Sequence, residues 1–503
     1  MTAFSEVIRV SAVDRRNFLR TAGGLGAFAL LTACGDGGPT NTTTPAATPT
    51  TTAPPSTTTA VPPDWDTLKS RLKGPLARPG QPGYDAARPF NTALTKTSPA
   101  AVAQVRGVED VQTCIDMARR SHIPIAARSG GHSYAGYSCP DRALVVDLRS
   151  LSSVEVRDDG IAEIGAGARL ADVYSALAAK GRCLPAGTCP TVGIAGLALG
   201  GGLGVLTRKF GLTADHLVSA RIVTADGVAR TASADGDADL HWALRGGGGG
   251  NFGIVTSFEF STEAAPAQLT VFHVEFAAGS AAEVLGAWQD WIAEAPAELW
   301  ANCVVEGGSP PKARVSGCYV GASARANTML TQFARRTGAR VADRNVRTMN
   351  YLAAMRHFAG SSGRTGFVAS SRVLEKRMNE PGTLAALVND RPDMDLLFDP
   401  LGGAVSTVDA RETAFPHRAA LATVQVYADT EAGQHRSAAS QVDRAQRDIA
   451  EQVGRGAYVN YIDPAQRDWP QAYYGNNLNR LRQVANLYDP DGVFAFAQGL
   501  RTR

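Results

Sequence analysis

Glycine clusters constrain this chain more than any other feature. Glycine supplies 52 of 503 residues, and much of it falls in three runs. The first is Arg128-Ser129-Gly130-Gly131-His132-Ser133-Tyr134. The second extends from Gly187-Thr188-Cys189-Pro190-Thr191-Val192-Gly193 through Gly196 to Gly200-Gly201-Gly202-Leu203-Gly204. The third is Arg245 followed by five glycines to Gly250, then Asn251-Phe252-Gly253-Ile254-Val255. Without a Cβ, main-chain N–H groups can approach a ligand closely, and such loops suit a pyrophosphate. Gly248-x-Gly250-x-x-Gly253 also matches the dinucleotide fingerprint by letter. That fingerprint must open a helix. Here Ile254 to Phe260 reads as a strand, so the match is a by-product of the glycine run.

Around these loops the pattern is α+β. Val111, Ile115 and Ala118 mark an amphipathic helix over 108–121. Ile123 to Ala127 and Ala143 to Leu148 read as strands, and 153–157 with 161–164 as a hairpin about Asp158-Asp159-Gly160. Leu170, Val173, Tyr174 and Leu177 form a helical stripe closed by Gly181. Further on, 269–276 and 422–427 read as strands. Helices are expected around Trp288 and Trp291, over 434–453 and over 477–487. The middle block is expected to form a second sheet covered by helices.

The N-terminus reads as an address. Arg15-Arg16 precede a ten-residue apolar stretch, Ala22 to Leu31, too short for a mature membrane span. The twin arginine marks the Tat route, and Leu31-Thr32-Ala33-Cys34 resembles a lipobox. Residues 1–33 are therefore expected to be a signal peptide recognised by the Tat export machinery. Cys34 would become a lipid anchor outside the cytoplasmic membrane. Thr, Pro, Ala, Gly and Ser dominate the following residues, so 34–63 reads as an unfolded spacer.

The charge balance, 50 Lys+Arg against 47 Asp+Glu, carries no basic stripe and excludes nucleic acid as a partner class. Eight histidines are scattered without a ligand-spaced pair. The seven cysteines fit neither a zinc pattern nor a dense disulfide framework, so no metal site is expected.

Taken in order, R-S-G-G-H-x-Y at 128–134, G-x-C-P-T-V-G at 187–193, R-G-G-G-G-G-N-F-G-I-V at 245–255, A-Y-V-N-Y-x-D at 457–463 and Y-G-x-N-x-x-R-L at 474–481 resemble the berberine-bridge-enzyme-like FAD-linked oxidases of the vanillyl-alcohol-oxidase superfamily. The resemblance covers roughly residues 85–503. It implies a PCMH-type FAD-binding domain of two α/β subdomains over 64–266, a substrate domain over 267–455 with an antiparallel sheet, and a C-terminal segment, 456–503, returning to the FAD domain.

It further implies FAD held by two covalent bonds, from His132 to the 8α-methyl and from Cys189 to C6. Arg128, Ser129, Gly130, Gly131, Ser133, Gly187, Thr191, Val192, Gly193, Gly196, Gly200, Gly201, Gly202, Gly204, Gly250, Asn251, Gly253, Ile254, Val255 and Asn460 are expected around the cofactor. Val192 stands where relatives control oxygen access. The base that takes a substrate hydroxyl proton is Tyr458 or Tyr461. If 457–463 is a strand, Tyr458 and Asn460 share a face and Tyr461 points away. Tyr134 and Gln425 complete the expected catalytic set. Two positions depart from many relatives: Leu203 replaces an aromatic residue, and Ala195-Gly196-Leu197 replaces G-G-H.

The expected activity is oxidation of an alcohol, a sugar or oligosaccharide hydroxyl, with O2 as acceptor and H2O2 as product. The alternatives are oxidation of a secondary metabolite, a dehydrogenase using another acceptor, and a glycan-binding lipoprotein without catalysis.

Overall fold

The computed structural model describes residues 61–91, 97–360, 363–431 and 434–501. The twin arginine, the lipobox and the spacer up to residue 60 lie outside the described residues.

Three main sheets carry the chain. In the first, Leu76–Ala77, Ala101–Gln104, Leu144–Asp147 and Ile125–Arg128 lie in that order. The last three run parallel, which requires a crossover. Helix Val108–Ser121 supplies one, and its Val111, Cys114, Ile115 and Ala118 are fully buried. In the second sheet, Val154–Val156, Ile161–Gly165, Ile254–Ser261, Leu217–Val223 and Ala229–Ser233 are antiparallel neighbours. The third glycine run therefore does lead into a strand, a central one, and not into a nucleotide-binding helix.

The third sheet has seven antiparallel strands, in the order Val341–Met349, Leu269–Phe276, Lys312–Val320, Leu299–Glu306, Met394–Pro400, Ala422–Asp429, Phe367–Leu374. Strand alternation gives it two unlike faces. Leu396, Phe398, Val424 and Val426 turn toward helices Ala281–Glu294, Ser323–Thr337 and His435–Val453. There they join Trp288, Phe333 and Ile449 in one apolar core. The opposite face presents Asn302, Asp395, Asp399, Thr423, Gln425 and Tyr427 by the same alternation. The fold is thus α+β, with a mixed four-stranded sheet and an antiparallel five-stranded sheet preceding the seven-stranded antiparallel sheet.

Two buried arginines tie the segment that follows the second glycine loop to the rest of the fold. Arg208, in the short helix Thr207–Phe210, is only 3% exposed. Its guanidinium donates to three carbonyls: Nε to Leu299 at 2.7 Å, Nη1 to Leu401 at 2.5 Å and Nη2 to Ala295 at 2.9 Å. Burial pushes its pKa down to about 10, so it stays charged at neutral pH. Arg418 donates both Nη groups to Asp215, at 2.8 and 2.6 Å. All six described cysteines are free thiols.

Candidate active site

The first two glycine loops interlock. A Cβ at Gly130 would overlap the Gly193 nitrogen and lie 2.7 Å from the Thr191 carbonyl; one at Gly193 would overlap Ser129. Backbone thus packs on backbone, and that contact brings His132 and Cys189 together. His132 Nε2 lies 3.0 Å from Thr191 Oγ1, and Cys189 Sγ lies 3.6 Å from the same oxygen. Phe90 stacks on the His132 ring, with centroids 3.9 Å apart and planes at 22°. Burial, with Arg128 and Arg169 nearby, pushes the imidazole pKa down to about 4. His132 is therefore neutral at pH 7 and can act as a nucleophile.

The glycines divide into two groups. At Gly200 a Cβ would overlap Asn460, at Gly202 Thr213, and at Gly204 the Ala186 carbonyl. A Cβ at Gly187 would lie 2.9 Å from Leu197, and one at Gly253 2.5 Å from the Val223 carbonyl. These residues, with Gly201 against Phe415, are small because protein packs there. By contrast, a Cβ at Gly196 would meet nothing within 4 Å, and those at Gly249 and Gly250 only Leu199 at 3.9 Å and Phe496 at 3.7 Å. Among the glycines of the three loops, these leave backbone open to a ligand.

Several expected cofactor side chains have partners within the protein. Arg128 donates to the Ala87 carbonyl at 3.0 Å and pairs with Asp147 at 3.5 Å. Ser129 donates to the Ala166 carbonyl at 2.6 Å, and Ser133 accepts from the Tyr137 amide at 3.1 Å. Asn251 links the Gly247 carbonyl to the Leu500 amide. Gly131 has φ +77°, a conformation that favours glycine. Val192 is half-buried against the core, while Ile254 and Val255 are buried in it.

The catalytic candidates come from three distant segments. Gln425 Nε2 donates to Tyr134 Oη at 2.7 Å, across 291 residues of sequence. Tyr134 and Tyr461 stack at 5.6 Å and 11°. The expectation of a strand at 457–463 is corrected here. Val459–Tyr461 is a turn of 3-10 helix. Its three-residue period places residues i and i+3 on one side, so Tyr461 packs against Tyr458, with rings 5.0 Å apart at 84°.

This geometry separates the two tyrosines. Tyr458 is 2% exposed, and its oxygen accepts from the Gly202 amide at 3.0 Å and from Asn460 Nδ2 at 2.9 Å. Asn460 also donates to the Leu197 carbonyl, which fixes its amide orientation. With its acceptor capacity filled, Tyr458 cannot readily take a further proton. Tyr461 instead directs its hydroxyl at Asp399 Oδ2, 3.4 Å away. Burial raises the Asp399 pKa to about 6, against the opposing effects of Tyr461, Asn302 and Arg314. Burial and the Asp399 charge together hold the Tyr461 pKa well above its usual value.

Asp399 is the functional residue that the sequence reading missed. Its signal was the alternation in Met394-Asp-Leu-Leu-Phe-Asp-Pro400, where the acidic residues share one face. Register sets Asp399 opposite Thr423 and Leu397 opposite Gln425, and no spacing rule reveals that pairing.

FAD fits these residues on two observations. A nucleophilic imidazole and a thiol converge on one threonine, and open glycine backbone lies at Gly196 and at Gly249-Gly250. The family model described as "FAD binding domain" matches residues 99–233, and "Berberine and berberine like" matches 457–501. An uncharacterised FAD-linked oxidoreductase of Bacillus subtilis, YgaK, is 32% identical over 445 residues, covering 86% of this chain and 98% of that one. Chitooligosaccharide oxidase of Gibberella zeae is 30% identical over 437 residues, covering 80% and 88%. A solved structure of glucooligosaccharide oxidase from Acremonium strictum, described with a 6-S-cysteinyl, 8α-N1-histidyl FAD, superposes with a TM-score of 0.80 at 26% identity, covering 87% and 99%. The chain belongs to the berberine-bridge-enzyme-like family of FAD-linked oxidoreductases.

Proposed function

We propose that this protein oxidises a hydroxyl-bearing carbon of a sugar or oligosaccharide, using FAD bound covalently through His132 and Cys189 and O2 as the final acceptor. One observation carries the reading: a Tyr461–Asp399 pair and a Tyr134–Gln425 pair stacked together, with Tyr134 two residues after His132. The sugar class is supported by the Gibberella and Acremonium oxidases.

When bound, FAD supplies a hydride acceptor and a route for the electrons to O2. The chain supplies the proton chemistry. A substrate hydroxyl beside Tyr461 passes its proton to the phenol oxygen as the phenol proton moves to Asp399. No net phenolate forms, which matters because burial disfavours one here. Tyr134 accepts from Gln425, so its own proton is free to donate to a second substrate oxygen. Catalytic hydrogen bonds often tighten only when substrate arrives, so a 3.4 Å spacing is compatible with the relay.

Acid precipitation of the purified protein tests the cofactor, and a sugar screen tests the reaction. The yellow colour should stay in the pellet, and a reactive oligosaccharide should yield one H2O2 for each aldose oxidised. His132→Ala should leave flavin on Cys189 alone. Flavin in the supernatant of the unmodified protein would refute the tethers; colour without turnover of any sugar would refute the substrate class.

We also propose that the mature chain begins at a lipidated Cys34 after Tat export, on the order of Arg15-Arg16, the apolar run and Leu31-Thr-Ala-Cys34. The N-terminal peptide should carry a lipid mass; an intact Met1 or Thr2 terminus would overturn this.

A further inference from the structure

The covalent attachment proposed above needs two different nucleophiles held at once, and one side chain touches both. Thr191 Oγ1 lies 3.0 Å from His132 Nε2 and 3.6 Å from Cys189 Sγ. We propose that Thr191 is the positioning residue for both tethers: its oxygen accepts the Nε2 proton of His132, and its own proton is donated to the Cys189 sulfur.

The consequences follow from hydrogen-bond capacity. A neutral imidazole has one donor and one acceptor nitrogen, and the partner of one decides the role of the other. With the proton held on Nε2, beside the Thr191 hydroxyl and near the Thr191 backbone carbonyl that also favours a ring N–H, the lone pair sits on Nδ1. Phe90 fixes the plane of the ring, and Asn91 fixes Phe90. The Asn91 amide donates to the Phe367 carbonyl at 2.9 Å and accepts from the Phe367 amide at 3.2 Å. The remaining freedom of His132 is rotation about its own side-chain bonds, which the Thr191 contact removes. At the sulfur, the 3.6 Å contact with the hydroxyl holds the side chain in one rotamer beside His132. The depressed basicity of His132 is consistent with a ring that stays uncharged during attachment.

The chemistry balances with O2 as co-reactant. Joining Nδ1 to the 8α-carbon forms one C–N bond and breaks one C–H bond and the Nε2–H bond. Two protons and two electrons pass through the ring system to O2, which leaves as H2O2. Joining sulfur to C6 likewise forms one C–S bond, breaks one C–H and one S–H bond, and releases a second H2O2.

This role rests on the covalent reading, and the test separates the two. The full chain is produced with FAD, precipitated in acid and digested, and the flavin peptides are identified by mass. NMR of the histidyl peptide reports which nitrogen carries the flavin. Wild type should show both bonds, with Nδ1 as the linked atom. Thr191→Val keeps the shape and loses the hydroxyl. It should attach flavin at His132 about tenfold more slowly, the order expected when one orienting hydrogen bond is lost. Thr191→Ser should restore the rate. An unaffected Val variant would overturn the role. So would a Ser variant about tenfold slower than wild type, or linkage through Nε2 in the wild type. These last two readings stand even if the Val variant does not fold. A wild type that releases its flavin in acid would instead overturn the tethers themselves, and this role with them.

Discussion

Tyr461→Phe is expected to slow anaerobic flavin reduction by substrate roughly 10²–10⁴-fold, the usual loss when a general base is removed. Tyr458→Phe should slow it by less than about tenfold, because that hydroxyl supports the Gly202 amide and Asn460 instead of facing a free proton. The same relay makes Asp399→Asn as damaging as Tyr461→Phe, since an amide cannot accept the relayed proton. The pH dependence follows in sign. A carboxyl whose pKa is raised to about 6 binds its proton below that value and is then useless as an acceptor. The rate of reduction should therefore fall as pH drops through about 6, to about a tenth at pH 5 of its value at pH 7, and be level above that limb until another group titrates. Residual activity in Asp399→Asn should lack the limb. Stopped-flow reduction across pH 5–8 decides this. A Tyr458→Phe defect larger than that of Tyr461→Phe would reverse the assignment, and an Asp399→Asn variant with the wild-type limb would remove Asp399 from the relay.

Arg208→Met is expected to destabilise the folded chain by about 3–5 kcal/mol. Methionine fills similar space but leaves the Ala295, Leu299 and Leu401 carbonyls without their donor, and each buried polar group left unpaired costs about 1–3 kcal/mol. The gain from no longer burying an unpaired cation, visible in the depressed pKa, offsets part of that loss. Arg208→Lys should be nearly as harmful, because one ammonium cannot span three carbonyls in the geometry of a planar fork. The three acceptors flank the substrate sheet, and Arg208 follows the second glycine loop. The variant should therefore also attach less flavin during production. Urea unfolding of wild type and variant measures the first effect; a midpoint that does not move would show that the carbonyls find other partners.

Much of this architecture was legible before any coordinates. Helix 108–121, strand 269–276 and helix 435–453 follow from apolar periodicity, because each buries one stripe or one face and nothing in its surroundings contradicts that preference. The rejection of a nucleotide fingerprint at 248–253 held for a similar reason: β-branched and aromatic residues continue through Phe260 with strand alternation. His132, Cys189, Tyr134 and Gln425 were marked by motif context.

Other features depended on contacts between distant parts of the chain. The segment 457–463 looks like a strand by composition, yet it closes into a turn of 3-10 helix, with Tyr458 Oη anchored by Gly202 and Asn460 by Leu197. Such anchors lie more than 250 residues away and override local preference. The glycines of the second loop look like a ligand cradle by composition, yet the space at Gly200, Gly202 and Gly204 is filled by Asn460, Thr213 and the Ala186 carbonyl.

The sequence by itself determined most of the helices and strands and the order of the glycine loops, because periodicity and local turn chemistry are properties of neighbours along the chain. Only the tertiary structure decided that Tyr461 rather than Tyr458 meets Asp399, that Thr191 joins His132 to Cys189, and that Arg208 is a buried staple rather than a surface cation. Each of these depends on burial and on which donor meets which acceptor across the fold, and neither is encoded in spacing.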